Sequence, residues 1–204
     1  MARNENPPFP RGGFGTAYLD PATIDSTGNG QLLGKTWVFE DVDWSNDRVA
    51  PSRTNRNVLC VALRNVSGGN LLPKTIVKMK DDGTAIENSQ NVSGYAALGD
   101  RIVVVDEFLP ATGVPNNEIF WGVLKGVSKI TADPNVASPA LGVDQVIIPG
   151  TNGTFIAQNV SVTNSTGANL SLQMQGAVGR LVEAATVGGN DYLVEVNQPL
   201  APGV

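Results

Sequence analysis

The sequence predicts a mainly β protein with little helix, and three observations support this prediction. The apolar residues fall into short runs rich in Val, Ile, Leu and aromatic residues, separated by Gly, Asn, Pro and Ser. No segment shows a 3.6-residue apolar stripe with caps at its ends. Only 16% of the residues are charged while 41% are hydrophobic, a composition that argues against disorder. We expect an extended N-terminal arm followed by a β-barrel or sandwich of short antiparallel strands.

Ten segments have the composition of strands. They are Thr36–Val42, Val58–Arg64, Thr75–Met79, Arg101–Asp106, Ile119–Lys125, Gln145–Ile148, Thr154–Thr163, Leu170–Gln175, Arg180–Val187 and Tyr192–Val196. The last two form the clearest predicted hairpin, because the glycines of the connecting GGND permit the positive φ that tight hairpins need.

The N-terminal part of the chain differs from the rest. Residues 1–35 mix prolines with glycines and show no period, so they predict no local core. They nevertheless carry large apolar side chains, namely Phe9, Phe14, Tyr18 and Leu19. The segment is therefore either a solvated tail or an arm that docks on a neighbouring subunit. We divide the chain into an arm with a lead-in strand (1–56) and a β-barrel-like domain (57–204), with a possible linker at 131–143.

The composition also restricts the chemistry. The chain has no histidine and a single cysteine, which excludes a Ser-His-Asp triad, a Cys-His dyad and a histidine-based zinc site. Cys60 lies in the apolar run VLCVAL, so we expect a buried, inert thiol in a protein made in a reducing cytosol. A net charge of −5 argues against binding to nucleic acid. We expect no signal peptide, no membrane span, no catalytic site, no cofactor and no metal.

Several short patterns resemble known sites but depart from them. Gly34-Lys35-Thr36 looks like the end of a phosphate-binding loop, yet a strand-like run follows where a helix is needed. A start of a calcium loop at Asp41 lacks the required glycine and the bidentate glutamate. Pairs of carboxylates remain as an option for glycoside hydrolysis, with no pair that the sequence can place face to face. The repeated Asn-Val-Ser, including Asn65, is interpreted as turn chemistry rather than as a glycosylation signal.

The segment 94–130 carries the most distinctive pattern, a strand, a Pro/Gly loop and a second strand. With Gly99-Asp100 before a valine strand, the run VPNNEIFWGVLKG and the C-terminal GRLVEA, it resembles small β-barrel proteins of the head-gene clusters of tailed bacteriophages, which are capsid decoration, or cement, proteins. The resemblance implies a homotrimer on the outer capsid surface of the virion, made in the host cytoplasm, that bridges subunits of the major capsid protein. It implies no catalytic residues.

We therefore expect a structural virion protein that decorates and stabilises the capsid, with the major capsid protein and its own copies as partners, and with no nucleic acid or membrane. The stiff, apolar loop LPATGVPNN suits a subunit contact or folds over the mouth of its own barrel. The candidate contacts are Phe9, Phe14, Tyr18, Leu19, Trp44, Leu109, Pro110, Val114 and Pro115. The alternative is a phage tail- or fibre-associated module that binds host glycan through exposed aromatic residues such as Trp44.

Overall fold

The computed structural model describes residues 11–15, 32–42, 52–87, 101–137, 141–157 and 177–197. These residues form ten strands that belong to one antiparallel sheet. The strands are β1 (Phe14–Gly15), β2 (Thr36–Val42), β3 (Ser52–Arg64), β4 (Ile76–Met79), β5 (Arg101–Val105), β6 (Ile119–Thr131), β7 (Val146–Pro149), β8 (Phe155–Ala157), β9 (Gly179–Leu181) and β10 (Asp191–Asn197). The helical content of the described residues is two 3₁₀ turns, Pro134–Ala137 and Thr151–Gly153. The prediction of a mainly β, antiparallel fold with little helix is confirmed.

Strand β6 is the centre of the sheet. Strand β3 pairs with the first half of β6 along one edge, from Arg64 opposite Ile119 to Leu59 opposite Lys125. Three other strands, β1, β5 and β10, pair with successive stretches of β6, and β10 takes the second half as far as Thr131. Thirteen residues of one strand therefore join most of the elements of the molecule.

The strand contacts close into two circuits that share β6. The first circuit runs through β3, β6, β5 and β4, in which each strand pairs with the next. It closes through two isolated bridges: Met79 of β4 pairs with Ile86, and the adjacent Ala85 pairs with Arg64 at the end of β3. The second circuit runs through β6, β10, β9, β7 and β8, in which each strand pairs with the next. It closes through a bridge between Phe155, the first residue of β8, and Ala132, which directly follows β6. Short closed circuits of this kind leave few exposed edges, as in small barrels.

Two clusters of buried side chains fill these circuits. The smaller cluster lies within the first circuit and includes Leu63, Val103 and Phe120. The larger cluster contains the neighbours of those residues, such as Val104 and Trp121, together with the buried residues of the second circuit. Because side chains alternate between the faces of a strand, β3, β4, β5 and the first half of β6 have a core on both faces.

Two of the predicted strands, β3 and β6, are longer in the structure than in the prediction. Strand β3 begins at Ser52, six residues before the prediction, because its polar start pairs with β2. Strand β6 continues to Thr131, where the prediction ended it at Lys125, because β10 pairs with its polar second half. Segment 170–175 lies outside the described residues, as does the end of segment 154–163.

The predicted C-terminal hairpin is correct in its pairing and wrong in its turn. Strand β9 ends at Leu181, so the connection to β10 spans residues 182–190 instead of four residues. Ala185 forms two backbone hydrogen bonds with Leu141 instead of pairing with β10. The hydroxyl of Tyr192 accepts hydrogen bonds from the backbone N–H groups of Thr186 and Val187, at 3.2 and 2.8 Å, which holds the connection in place.

The described part of the predicted linker contains both exposed and buried residues. Asp133 is buried, and its carboxylate accepts hydrogen bonds from Asn135, Thr151 and Thr154. The hydrogen bonds from Thr151 and Asn135, of which the one from the Thr151 side chain has the largest effect, lower the pKa of Asp133 below its ordinary value. Leu141 is also buried and belongs to the larger core cluster. Strand β3 likewise runs across position 56, where the sequence division placed the boundary between arm and domain.

Candidate interaction site

One end of the first circuit combines a docked piece of the N-terminal segment with two loops. We call this region the arm end, and it consists of residues 11–15, 65–72 and 106–118. Loop 106–118 leaves β5 at Asp106 and returns to β6 at Ile119. Segment 11–15 lies across the base of that loop, because Arg11 contacts its first residue and Phe14 pairs with Phe120 just beyond its last.

Arg11 anchors the docked segment through a buried ion pair. Its Nε and Nη2 atoms donate to Oδ1 of Asp106 at 3.2 and 2.8 Å, and its guanidinium lies 4.8 Å from the ring centroid of Phe108. The Nη1 atom lies 3.8 Å from Oδ1 of a second buried carboxylate, Asp41. The side chains of Arg11, Asp41 and Asp106 are at most 1% exposed. A guanidinium thus occupies the space between two acidic groups.

The electrostatics of the pocket follow from this burial. Burial raises the pKa of Asp106, and the nearby Arg11 opposes that shift. Burial disfavours the charged form of Arg11, but the carboxylate of Asp106 leaves the pKa of Arg11 raised overall. Burial also raises the pKa of the nearby thiol of Cys60 far above its ordinary value. The prediction of a buried Cys60 is confirmed.

The backbone of the docked segment fits closely against loop 106–118. The N–H of Gly12 donates to Oδ2 of Asp106 at 2.9 Å, and Gly12 has a φ of +80°. A Cβ atom added there would lie 2.7 Å from the carbonyl oxygen of Phe108. Glycine is therefore required after Arg11, both for the positive φ and for the close approach.

Loop 106–118 folds onto its own chain. Leu109 and Val114 are buried in the smaller core cluster, and Val114 forms two backbone hydrogen bonds with Leu71. Gly113 adopts a φ of +81° beside the carbonyl oxygen of Leu71. The loop therefore packs on its own circuit, and its predicted contact with another subunit stays a prediction.

Asn65 fixes the two loops of the arm end to each other. Its Nδ2 donates to the carbonyl oxygens of Gly69 and Val114, each at 2.8 Å, and its Oδ1 accepts from the N–H and hydroxyl of Ser67. Asn65 is fully buried. These contacts confirm that the first Asn-Val-Ser forms a turn; the other two copies lie outside the described residues.

The exposed surface of the arm end is mixed, with Leu72, Pro110 and Ala111 as its apolar side chains among polar ones such as Asn70, Thr112, Asn116 and Asn117. Leu72 is 50% exposed although it directly follows the buried Leu71. In the neighbouring loop, the exposed residues include Pro110, Ala111 and Thr112. The two loops are joined here by a hydrogen bond of 2.9 Å, which Nδ2 of Asn70 donates to the carbonyl oxygen of Thr112. The exposure of Leu72 was not predicted from the sequence. The pair Leu71-Leu72 carries a signal for it, because side chains of successive residues in an extended segment point to opposite sides, so one of the two leucines is directed outward.

The candidate contact residues fall into three groups. Phe9, Tyr18, Leu19 and Trp44 lie outside the described residues. Leu109 and Val114 are core residues, and Phe14 is half-buried against the same cluster. Pro110 is exposed and Pro115 is half-buried, so these two residues reach the surface of the arm end. The predicted capsid and subunit contacts of all nine residues stay predictions.

The rejected motifs can be compared with the structure. Gly34 precedes strand β2, which begins at Thr36, so the phosphate-binding pattern is not followed by a helix. The carboxylate pair considered for glycoside hydrolysis can be compared with Asp41 and Asp106. Both carboxylates lie beside the guanidinium of Arg11, and all three side chains are buried. Within the described ranges, no three His, Cys, Asp or Glu side chains are placed to hold a metal ion. No helix of that part of the chain has the length and apolar character needed to span a membrane.

Comparisons with known proteins found similarity to solved structures. No protein-family model matches the chain, and no curated protein matches its sequence. Its structure is similar to that of the N base of head fibre gp8.5 in bacteriophage phi29, with 12% sequence identity and a TM-score of 0.38. The match covers 69% of this chain and 94% of the other. That protein is a component of a phage head, but at this level the similarity carries no argument about the present chain.

Proposed function

We propose that the chain is a structural virion protein of a tailed bacteriophage that attaches to the outer surface of the head. In this proposal it acts as a homotrimer and stabilises the shell by bridging subunits of the major capsid protein. The sequence resemblance to decoration proteins supports the proposal. The observation that carries it furthest is the arm end, where the anchored segment 11–15 lies beside a loop that exposes Pro110 and Ala111.

The physical properties of the arm end suit attachment to a large surface. Loops 65–72 and 106–118 are fixed to each other by the buried Asn65, so they lose little conformational entropy on docking. The exposed Leu72 and Pro110 supply apolar area that can be buried by a partner. A trimer would present three copies of this end, and several weak contacts acting together give a high avidity.

The proposal is tested with purified protein and with heads of the encoding phage that lack it. We expect the protein to sediment with the heads at a fixed ratio and to raise the temperature at which they open. Leu72→Asp should reduce the bound fraction at least tenfold, because it places a charge in the apolar contact. The matched control is Val143→Asp, since Val143 is 57% exposed and lies between Leu141 and β7, away from the arm end in sequence.

Two results would contradict the proposal. One is a failure of the wild-type protein to bind the heads at any concentration. The other is equal binding by Leu72→Asp and the wild type, which would exclude the arm end as the attachment surface. Binding to glycans of the host cell in place of heads would favour the alternative of a tail- or fibre-associated module.

A further inference from the structure

Strand β2 is the last strand at one end of the sheet. It pairs with β3 along one edge, and no other strand of the described residues pairs with its second edge. The strand at the opposite end, β8, differs, because its first residue Phe155 also forms a bridge with Ala132. An edge strand presents a row of N–H and C=O groups with which another strand can pair. Strand β2 is therefore a place where the described sheet can be extended.

The register of β2 with β3 determines which backbone groups of β2 point outward. The carbonyl oxygen of Lys35 accepts a hydrogen bond of 3.0 Å from the N–H of Ala62, so residue 35 faces β3. Bonded positions alternate with non-bonded ones along an antiparallel pair, so Trp37 and Phe39 also face β3. The N–H and C=O groups that point away from β3 are those of Thr36, Val38 and Glu40. We call these three residues the open edge.

The centre of the open edge lacks the features that usually prevent strand pairing. Edge strands are commonly protected by proline, by short length, by bulges or by charged side chains. Strand β2 has seven residues without a proline, and its register with β3 stays regular as far as Glu40. The central residue Val38 is uncharged and 54% exposed. The middle of the edge is thus accessible to a second strand.

The open edge is complementary to a second copy of itself. When two β2 strands run antiparallel about a twofold axis at Val38, this valine lies opposite the Val38 of the second copy, and Thr36 lies opposite Glu40. Three N–H groups of each copy then donate to three carbonyl oxygens of the other, which gives six hydrogen bonds. Valine meets valine, the threonine hydroxyl donates to the glutamate carboxylate, and no like charges lie opposite each other.

The other face of β2 supports the same register. Trp37 and Phe39 are half-buried against the larger core cluster. In the antiparallel pair, Trp37 of each copy lies opposite Phe39 of the other, and aromatic pairs of this kind stabilise neighbouring strands. A shift of the register by two residues leaves one of the three open-edge residues without an open-edge partner. The register centred on Val38 is therefore the most favourable.

We propose that two copies of this chain associate through the open edge, with their β2 strands paired antiparallel about a twofold axis at Val38. Both copies contribute the same residues, and their sheets become continuous across the contact. The association joins protomers in pairs and is separate from the threefold contacts of the proposed trimer. It involves the purified protein alone, so its outcome does not depend on attachment to a phage head.

A single cysteine variant tests the contact at its axis. Directly opposed residues of an antiparallel pair are close enough for a disulfide. We expect Val38→Cys protein to form a disulfide-linked dimer at least ten times faster than the matched control Val143→Cys, since Val143 is 57% exposed and lies outside β2. The native Cys60 is buried and does not compete. Equal rates would overturn the proposal, because the edge would then pair with nothing or with a different segment.

A mixture of two variants tests the register. Thr36→Cys protein is mixed with affinity-tagged Glu40→Cys protein and oxidised slowly; both positions are exposed. We expect mixed dimers to form at least tenfold faster than either variant forms dimers with itself. The reason is that residues 36 and 40 lie opposite each other, whereas two residues 36 are four positions apart, roughly 13 Å along the strands. Equal rates in the mixed and unmixed samples would overturn this pairing.

A proline at the centre of the edge tests the contact without disulfide chemistry. The N–H of Val38 points away from β3, so Val38→Pro keeps the pairing within the chain and removes a donor from the contact between copies. The matched control Val38→Thr keeps the N–H and the branched side chain. Sedimentation equilibrium should show a dissociation constant at least tenfold higher for Val38→Pro and changed less than threefold for Val38→Thr. Equal association of Val38→Pro and the wild type would overturn the proposal.

Discussion

Strands β5 and β10 both pair with β6, but they bury their residues in different ways. In β5, the four residues Ile102 to Val105 are all buried, whereas in β10 buried residues alternate with more exposed ones. The reason is the number of cores that each strand contacts, since β5 lies between the two clusters and β10 borders only the larger one. A continuous apolar run thus marks a strand with a core on each face, although the sheet is antiparallel.

The largest expected effect comes from placing a charge on either face of β5. Val103→Asp and Val104→Asp should each destabilise the protein by about 4 kcal/mol or more, because an unpaired carboxylate would be buried in one cluster or the other. Urea denaturation followed by tryptophan fluorescence measures the free energy of unfolding. Tolerance of either substitution would show that β5 has only one buried face.

The matched control lies in β10. Glu195→Gln should change the free energy of unfolding by less than about 0.5 kcal/mol, because its ion pair with Arg56 is more than half exposed on both sides. Its neighbour Val194 is fully buried, so Val194→Asp should be as damaging as the β5 variants. Equal effects at Val194 and Glu195 would remove the difference between the two strands.

The next effect concerns the anchor beside β5. Asp106→Asn should cost about 3–5 kcal/mol, because it leaves the buried guanidinium of Arg11 with the longer contact to Asp41, at 3.8 Å, in place of the 2.8 Å ion pair with Asp106. The double variant Arg11→Met/Asp106→Leu should recover only part of that loss, since it replaces one ion pair by apolar side chains but also removes the guanidinium that lies beside the buried Asp41. A double variant that is less stable than Asp106→Asn would contradict this account of the pocket.

A smaller effect is expected from the connection between β9 and β10. Tyr192→Phe should destabilise the protein by about 1–3 kcal/mol, because the backbone N–H groups of Thr186 and Val187 lose their acceptor. Hydrogen exchange of those two amides measures the local effect. Unchanged protection of both amides would show that the hydroxyl does not hold the connection.

The smallest effect is a dependence of stability on alkaline pH. Burial raises the pKa of Cys60 in the folded state, so the thiol ionises first in the unfolded chain. The contribution is fully present below the unfolded pKa of about 8.5 and is lost as the pH rises, by about 1.4 kcal/mol per unit. Urea midpoints at pH 8 and 9.5 should differ less in Cys60→Ala than in the wild type. An identical difference would exclude Cys60 as the cause.

Much of the fold was predictable because the apolar runs are local. Strand β2 was predicted with its observed bounds, and β4, β5, β7 and β10 were predicted to within one residue at each end. The polar parts of β3 and β6 were missed, because these residues are strands only through their pairing with β2 and β10. The turn after β9 was misjudged because Tyr192, a residue of the next strand, determines it.

The arm end was predictable only in part. The loop LPATGVPNN was identified from its prolines and glycine, but the sequence could not decide between its two possible positions. The anchor was missed altogether, because Arg11 stands among prolines and glycines and its partner Asp106 is 95 residues away. No local pattern indicates an ion pair of that separation. Burial of both groups is a property of the folded chain, and not of either segment.

The most direct test of the proposed role is an averaged electron cryo-microscopy map of the phage head, compared with a head from a mutant phage that lacks this chain. We expect the wild-type map to contain additional trimeric density on the outer surface, at positions where subunits of the major capsid protein meet, into which the β domain fits with its arm end towards the shell. Identical head maps from the two phages would contradict the account.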